Sequence, residues 1–426
     1  MAYTAHTDTF ARDNLPPKKL WPEFRFDLPE VQYPARMNCA AELLDKSLEN
    51  GWGQNIVIRT PDGQCTYEQL LAQTNRIANV LVKNMDLKPG NRVLLRGPNN
   101  PVMAACWMAV MKAGGIVVAT MPLLRAKELT EIVTKAKITH ALCDKRLQQE
   151  LVNALPDCPT LKKITYWYDE APDSLDELCK KASGEFRTVD TAADDVALIA
   201  FTSGTTGKPK GTMHFHRDVV AMCDLFPRST LKPEPTDIFC GTPPLAFTFG
   251  LGGMLCFPMR FGASTVLMER LTPESLLETI QKFKATICFT APTFFRQMAQ
   301  VAKAHPTPSL KKCVSAGEAL PDATRQMFKQ ATGIEIIDGL GATEMIHIFV
   351  SHTPERTRRG ATGYAIPGYE ATVLDDNGKP CPPGVVGRLA VKGATGCRYL
   401  DDERQLTYVQ NGWNVTGDAY KMDADG

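Results

Sequence analysis

The 426-residue chain has no basic run and no interleaving of aromatic with basic residues, and its formal net charge is only +1. Charge-driven binding to nucleic acid or to an acidic membrane surface therefore has no electrostatic basis. Long hydrophobic runs are lacking too. The longest, PVMAACWMAVM from Pro101 to Met111, is too short to span a bilayer and reads as a buried helix. The first residues, MAYTAHTDTFARDNLPPKKLWPEF, carry charges and prolines where a secretory signal needs an apolar core. Cysteine is plentiful, at 13 residues, but no CxxC pair occurs, and even the nearest two, Cys143 and Cys158, are far apart. A closely spaced metal or redox pair is excluded, and scattered single thiols point to reduced, half-buried cysteines in a cytoplasmic protein. No solenoid-period repeat and no low-complexity tract is found.

What is present is the composition of a soluble globular protein, 44% hydrophobic and 22% charged, on a chain long enough for two or three substructures. Residues 1–36 are rich in proline and charge and are expected to wrap over the surface. Thr66, with Gln69 three residues on, predicts a capping box for the helical stretch TYEQLLAQTNRIANVLV. Strand-like RVLLRG, the buried helix, strand-like GGIVVATM, helical KELTEIVTKAK and strand-like ITHALCD then alternate. That order predicts an α/β fold with a mostly parallel sheet. The pattern restarts at Val196 with VALIAF and continues through ASTVLME, PESLLETIQKFK, ATICFTAP and PTFFRQMAQVAKA. KKCVSAGEAL and GIEIIDGLGATE read as strands that run out into Gly-rich loops. From about Thr353 short strands with Gly and Pro turns replace the helical periodicity. The expected division is an extension over 1–36, a first α/β unit over 37–195, a second over 196–352, and a small antiparallel sheet or barrel over 353–426.

One stretch carries unusual chemistry: FTSGTTGKPKG, from Phe201 to Gly211, follows a buried strand. A helix-borne phosphate loop needs GxxxxGK followed by Ser or Thr. Here two residues separate Gly204 from Gly207, and Lys208 precedes Pro209, so that version is excluded on spacing. The chemistry still suits an anion. Gly204, Gly207 and Gly211 let backbone N–H groups turn inward as a nest. Ser203, Thr205 and Thr206 add hydroxyl donors, and Lys208 and Lys210 add charge that a polyphosphate attracts. A merely polar surface turn rarely sustains such a run after a buried strand.

TSGTTGKPKG resembles the signature of the adenylate-forming superfamily, which includes acyl- and aryl-CoA ligases, luciferases and the adenylation domains of peptide synthetases. The other stations occur in the family's order. PLAFTFG (Pro244 to Gly250) occupies the place of PLxHxxG, with Phe247 where many members have His. SAGEAL (Ser315 to Leu320) resembles the segment that walls the adenine and the acyl pocket. GLGATE (Gly339 to Glu344) resembles YGxTE, with Leu340 where the family stacks a Tyr on adenine. WNVTGD (Trp413 to Asp418) resembles the segment whose Asp binds both ribose hydroxyls. The resemblance runs from about residue 40 and implies two βα-layered sheets (αβαβα) plus a small distorted β-barrel, the large N-terminal domain of such an enzyme.

The implied reaction joins a carboxylate to the α-phosphorus of ATP and expels pyrophosphate. Two anions must meet, so positioning and charge neutralisation matter more than a strong base. On the resemblance, ATP is bound by Thr202, Ser203, Gly204, Thr205, Thr206, Gly207, Lys208 and Lys210. Gly317, Glu318, Ala319, Asp338, Gly339 and Leu340 complete that site with Thr343 and Asp418. Lys210, Thr343 and Glu344 act at the phosphates, with Glu344 holding Mg²⁺, a hard cation suited to oxygen ligands. Singly, Glu344 could as well cap a helix beginning EMIHIF, and Asp418 could be an ordinary turn; five motifs in one order make joint coincidence improbable.

The acid is expected between Phe247, Thr248, Phe249, Ala316, Gly317, Gly339, Gly341 and His347. Flat aromatic walls with glycine spacing suit a planar ring and leave no tunnel for a long alkyl chain. DGLGATEMIHIFVS and the leader LPEVQYPARMNCAAELLD most resemble the benzoate- and 2-aminobenzoate-CoA ligase branch, in which the His matching His347 lies at the aryl pocket. His347 is placed one helical turn after Glu344, and Thr248 favours an ortho amino or hydroxyl group. His214 and His216 in HFH sit on one strand face, but with no third metal ligand in view they read as structural. After YKMDADG the family continues with a hinge and a lid domain that carries a lysine and builds the coenzyme A channel. The expectation is therefore an N-terminal domain that binds ATP, aryl acid and acyl-adenylate, adenylates slowly and makes little thioester. Two other readings stay open at this point: an aryl-adenylating enzyme that loads a carrier-protein thiol, and a non-catalytic nucleotide- or acid-binding relative.

Overall fold

A computed structural model describes residues 3–202 and 208–426. Among the described residues the named strands assemble into three sheets. The first has six strands in the spatial order Lys163–Trp167, His140–Asp144, Arg92–Arg96, Ile116–Thr120, Val196–Thr202 and Lys210–Phe215. Its pairs are parallel until the last, where Val196–Thr202 and Lys210–Phe215 run antiparallel. The second has nine strands, with a parallel centre formed by Ile336–Gly341, Lys312–Ser315, Ile287–Thr290, Ile238–Gly241, Ser264–Val266 and Ile56–Thr60. The third is a four-stranded antiparallel sheet of Tyr369–Leu374, Val386–Gly393, Trp413–Lys421 and Val409–Gln410. This is the α/β architecture expected, with the small antiparallel unit after it.

The local signals act as their chemistry predicts. Thr66 caps the helix Tyr67–Lys83, accepting from Gln69 N at 3.2 Å while the Gln69 side chain accepts from Thr66 N at 2.9 Å. The apolar run forms the helix Pro101–Lys112, capped by Asn100 and buried nearly all round. All 13 cysteines are free thiols and 11 of them are buried, as scattered single cysteines should be. One apolar cluster extends from the helix Tyr67–Lys83 through Phe239 and Phe289 to Ile348, so strands of both large sheets share a core.

Sheet membership does not follow the division at residue 195. Val196–Thr202 and Lys210–Phe215 complete the first sheet, and Ile56–Thr60 with Gly63–Thr66 close the edge of the second. The restart of the alternating pattern at Val196 marks a strand of the same sheet, because periodicity records local burial and not which sheet a strand joins. The N-terminal segment ties the units together. Ala5 N donates to Asp195 at 2.9 Å, Phe24 bridges to Gly393, and Lys392 pairs with Glu23 at 2.6 Å.

The stretch EMIHIF is not a helix. Thr343–Met345 make one 3-10 turn, Ile346 takes φ 67°, and Ile348–Ser351 are a strand. A positive φ at a β-branched residue is strained, and such strain persists where the surroundings enforce it. Here it reverses the chain between Glu344 and His347, so these two residues do not share a helical face.

Candidate functional site

Two neighbouring cavities are lined by many of the residues expected at the site, from Thr202 to Asp418. The first, of about 570 Å³, is lined by Gly317, Glu318, Ala319, Asp338, Gly339, Leu340 and Asp418, with Thr362 and Tyr420 in addition. The second, of about 520 Å³, is lined by Thr202, Phe247, Thr248, Phe249, Ala316, Thr343 and His347. Gly317, Glu318 and Gly341 line both, so the cavities adjoin along the ends of the strands Lys312–Ser315 and Ile336–Gly341. Clefts at the carboxyl ends of sheet strands are the usual ligand sites of α/β folds.

The first cavity is polar. Burial pushes the Asp338 carboxyl up to about 7, against the opposing pull of the Gly339 N–H and of Arg325. An acid raised in the folded state keeps its proton where the unfolded chain, with an ordinary pKa of about 4, has lost it. The folded protein therefore loses stability as pH rises from about 4 to about 7. Asp338→Asn is expected to remove that loss, which urea midpoints of wild type and variant across this window will show. Asp418 is exposed on the strand Trp413–Lys421, and its carboxylate is available to a ligand. Leu340, half-buried, offers an aliphatic wall where an aromatic one was considered. Gly339 lines this cavity. The Ile348 side chain lies so close that a Cβ on Gly339 would be 2.4 Å from it.

The second cavity has an aromatic floor. His347 packs edge-on against Phe257 with ring centroids 4.5 Å apart, stacks near Phe226 at 6.0 Å and lies 5.7 Å from Phe249. Burial pushes its imidazole down to about 3, so the ring is neutral, and Nε2 lies 3.4 Å from the Phe249 carbonyl, to which it can donate. Gly252, in the π-helical turn Leu251–Cys256, makes the room: a Cβ there would sit 2.5 Å from the His347 ring. Thr248 is buried beside the floor. Phe247, 47% exposed, lines this cavity together with Phe249.

Beside Thr343 lies a compact polar triangle. Lys210 Nζ donates to Glu344 Oε1 at 3.2 Å and to the Tyr399 hydroxyl at 3.0 Å, and that hydroxyl donates to the same Glu344 oxygen at 2.5 Å. Lys210 also sits 5.1 Å from the centre of the Tyr399 ring. Burial, with the Cys397 thiol and the Glu344 carboxylate nearby, drives the Tyr399 phenol far above its ordinary range, so it stays protonated and donates. His214 supports the same place from below, its Nε2 donating to the Thr343 carbonyl at 2.7 Å. His216 opens the helix His216–Phe226 rather than continuing the strand, and its Nδ1 accepts from Cys39 N at 3.1 Å. Both histidines are thus structural, and among the described residues no group of three or more His, Cys, Asp or Glu could hold a metal ion. Lys208 is exposed, its carbonyl accepting from Arg404 at 3.1 Å. Ser203, Gly204, Thr205, Thr206 and Gly207 lie outside the described residues.

The profile of the AMP-binding enzyme family matches residues 46–398. This chain belongs to the AMP-binding enzyme family. The AMP-binding enzyme described here is 30% identical over 404 residues to a benzoate–CoA ligase of Thauera aromatica, covering 93% of this chain and 77% of that one. It is 30% identical over 381 residues to an anthranilate–CoA ligase of Pseudomonas aeruginosa, covering 85% of this chain and 69% of that one. Among solved structures, an anthranilate CoA ligase in complex with anthranoyl-AMP superposes with a TM-score of 0.89 at 30% identity, covering 94% of this chain and 77% of that one. The fold is thus that of the large N-terminal domain of adenylate-forming enzymes, as the motifs implied.

Tyr399 and His214 were not among the site residues read from the sequence. No spacing rule joins positions 210, 343, 344 and 399; only the pairing of residues near 399 with the strand Lys210–Phe215 brings them together. Among the described residues no helix is long and apolar enough to cross a membrane.

Proposed function

We propose that this AMP-binding enzyme activates an aromatic carboxylic acid of the 2-aminobenzoate or benzoate type with ATP, giving the aryl-adenylate and pyrophosphate, with coenzyme A as the acceptor of the acyl group. The observation that carries this reading is the junction of an aromatic-floored cavity with a polar one, with Thr343, Glu344 and Lys210 beside it. The names of the benzoate– and anthranilate–CoA ligases, similar over most of this chain, support the acid.

The aryl ring lies on the floor of Phe249 and His347, and the neutral imidazole adds no charge that would bind the carboxylate in the wrong place. Thr248 supplies a hydroxyl for an ortho substituent. The carboxylate then faces Thr343 and Gly341, where the cavities meet. Asp418 accepts from the ribose hydroxyls, and Asp338 to Leu340 wall the base. One acid oxygen attacks the α-phosphorus, the bond to the bridging oxygen of pyrophosphate breaks, and Lys210, with the hydroxyls and N–H groups of the TSGTTGKPKG motif, neutralises the leaving charge. The donor set fits Mg²⁺: this ion is commonly held by one or two carboxylates and completed by phosphates and water, and Glu344 is one carboxylate with one oxygen left over by Lys210 and Tyr399. When bound, the ion would supply positive charge that offsets the charge of the phosphates.

Thermal unfolding with non-hydrolysable adenylate analogues tests this reading. Saturation at about 100 times the dissociation constant stabilises a native state by roughly 2.7 kcal/mol. The 2-aminobenzoyl and benzoyl analogues should both raise the midpoint, and a medium-chain fatty acyl analogue should not. A rise with the fatty analogue alone, or with none, refutes the aryl assignment, and the order of the two aryl compounds ranks the acids.

A further inference from the structure

We propose that Tyr399 is a positioning residue of the phosphate site: its hydroxyl fixes the Glu344 carboxylate in the orientation that receives a divalent cation together with the nucleotide phosphates. This rests on the nucleotide-activating function proposed above.

Tyr399 is held by the strand that carries Lys210. Met213 N donates to the Arg398 carbonyl at 2.8 Å, and Leu400 N donates to the Gly211 carbonyl at 2.8 Å, with Thr212 and Tyr399 in antiparallel register. Tyr399 N donates to Gln405 Oε1 at 2.9 Å, and the ring meets Tyr408 edge to face at 5.8 Å. At 1% exposure, the phenol has no freedom to swing away.

Its two partners differ in mobility. Lys210 is a cation on a flexible stem, and arriving phosphates compete for it. Glu344 would then lose the Lys210 bond and, with it, one of the two hydrogen bonds that order its side chain among the described residues. Ordering a long charged side chain costs conformational entropy, and a carboxylate fixed beforehand does not incur that cost on binding. Tyr399 stays in place when Lys210 moves, so its bond to Oε1 keeps the carboxylate oriented. Both Lys210 and Tyr399 engage Oε1, and Oε2 takes neither bond. The remaining oxygen is therefore the one presented to the cation. Groups that orient a metal-binding side chain in this way commonly matter by 10–100-fold in affinity.

Tyr399→Phe deletes only the hydroxyl. It keeps the ring under Lys210 and against Tyr408, and Glu344 keeps its Lys210 bond in the ligand-free protein, so the fold is preserved. Binding of a non-hydrolysable ATP analogue is measured by calorimetry against Mg²⁺ concentration for wild type, Tyr399→Phe, Glu344→Gln and the double variant. The expected result is a Mg²⁺ half-saturation raised about 10-fold or more by Tyr399→Phe, with unchanged analogue affinity in EDTA. On the Glu344→Gln background the second substitution should add nothing, because both act through one carboxylate. A wild-type Mg²⁺ response in Tyr399→Phe, or a full additional loss in the double variant, overturns the role of Tyr399. Absence of any Mg²⁺-dependent nucleotide binding by wild type overturns the nucleotide-activating reading itself, and with it this inference.

Discussion

Glu344→Gln is expected to lower aryl-adenylate formation by roughly 100- to 1,000-fold, the range seen when one preorganised electrostatic group at a reacting centre is lost. The measure is acid-dependent exchange of labelled pyrophosphate into ATP. The amide has the size of the carboxylate and can still accept from Tyr399, but it lacks the charge that would hold a divalent cation. The variant is a clean probe because its fold is not at risk. Lys210 is 22% exposed in its side chain and can turn toward water when its partner becomes neutral, so no buried charge is stranded. An unchanged ligand-free melting midpoint together with lost exchange locates the defect in the chemistry. Wild-type exchange in Glu344→Gln would remove this residue from the phosphate site. Lys210→Met should also slow exchange, but for a different reason: it removes charge from the leaving group while leaving Glu344 bonded to Tyr399.

Those residues show why part of the site was legible before the structure. Thr343 and Glu344 lie in one short motif, and Asp418, Gly317 and Phe249 in others. The resemblance of these motifs to the adenylate-forming family selected them. Local chemistry was enough for the Thr66 capping box and the buried helix Pro101–Lys112, whose signals lie within a few residues of each other. What failed depended on a local backbone turn and on long-range pairing. The placement of His347 on a helix overlooked the positive φ at Ile346, which apolar periodicity does not record. The restart at Val196 was a strand of the sheet already begun. Tyr399 was missed because its meaning comes from strand pairing across almost 190 residues.

Asp218→Asn is expected to destabilise the protein by about 3–5 kcal/mol, the usual cost of removing one partner from a buried ion pair. Asp218 and Arg398 are both fully buried and hydrogen-bonded to each other. The guanidinium lies over Phe215, 3.8 Å from the ring centre, where it has no access to water. Asn keeps the shape and can still accept from Phe215 N, the bond now made at 2.9 Å, so the loss isolates the charge. Urea denaturation measures it. Burial alone would raise the Asp218 carboxyl, but Arg398, with His214 and Arg217, outweighs it and holds the group below the ordinary range. An acid depressed in this way contributes stability above the usual Asp pKa and loses it as pH falls through its lower folded value. The gap between wild type and Asp218→Asn should therefore persist through neutral pH and close only in acid. Replacing the pair together, Asp218→Leu with Arg398→Met, should recover much of the loss, since hydrophobic substitutes for a buried ion pair are often neutral. It should fall short by about 1 kcal/mol, because Leu leaves the Phe215 N–H without its acceptor. A double variant no more stable than Asp218→Asn would mean that the pair contributes through shape and not charge. Arg398 also precedes Tyr399, and its carbonyl accepts the bond from Met213 N that registers this segment on the Lys210 strand. A double variant that folds and still binds nucleotide with the wild-type Mg²⁺ response would show that backbone pairing alone places Tyr399, and that the buried ion pair serves stability only.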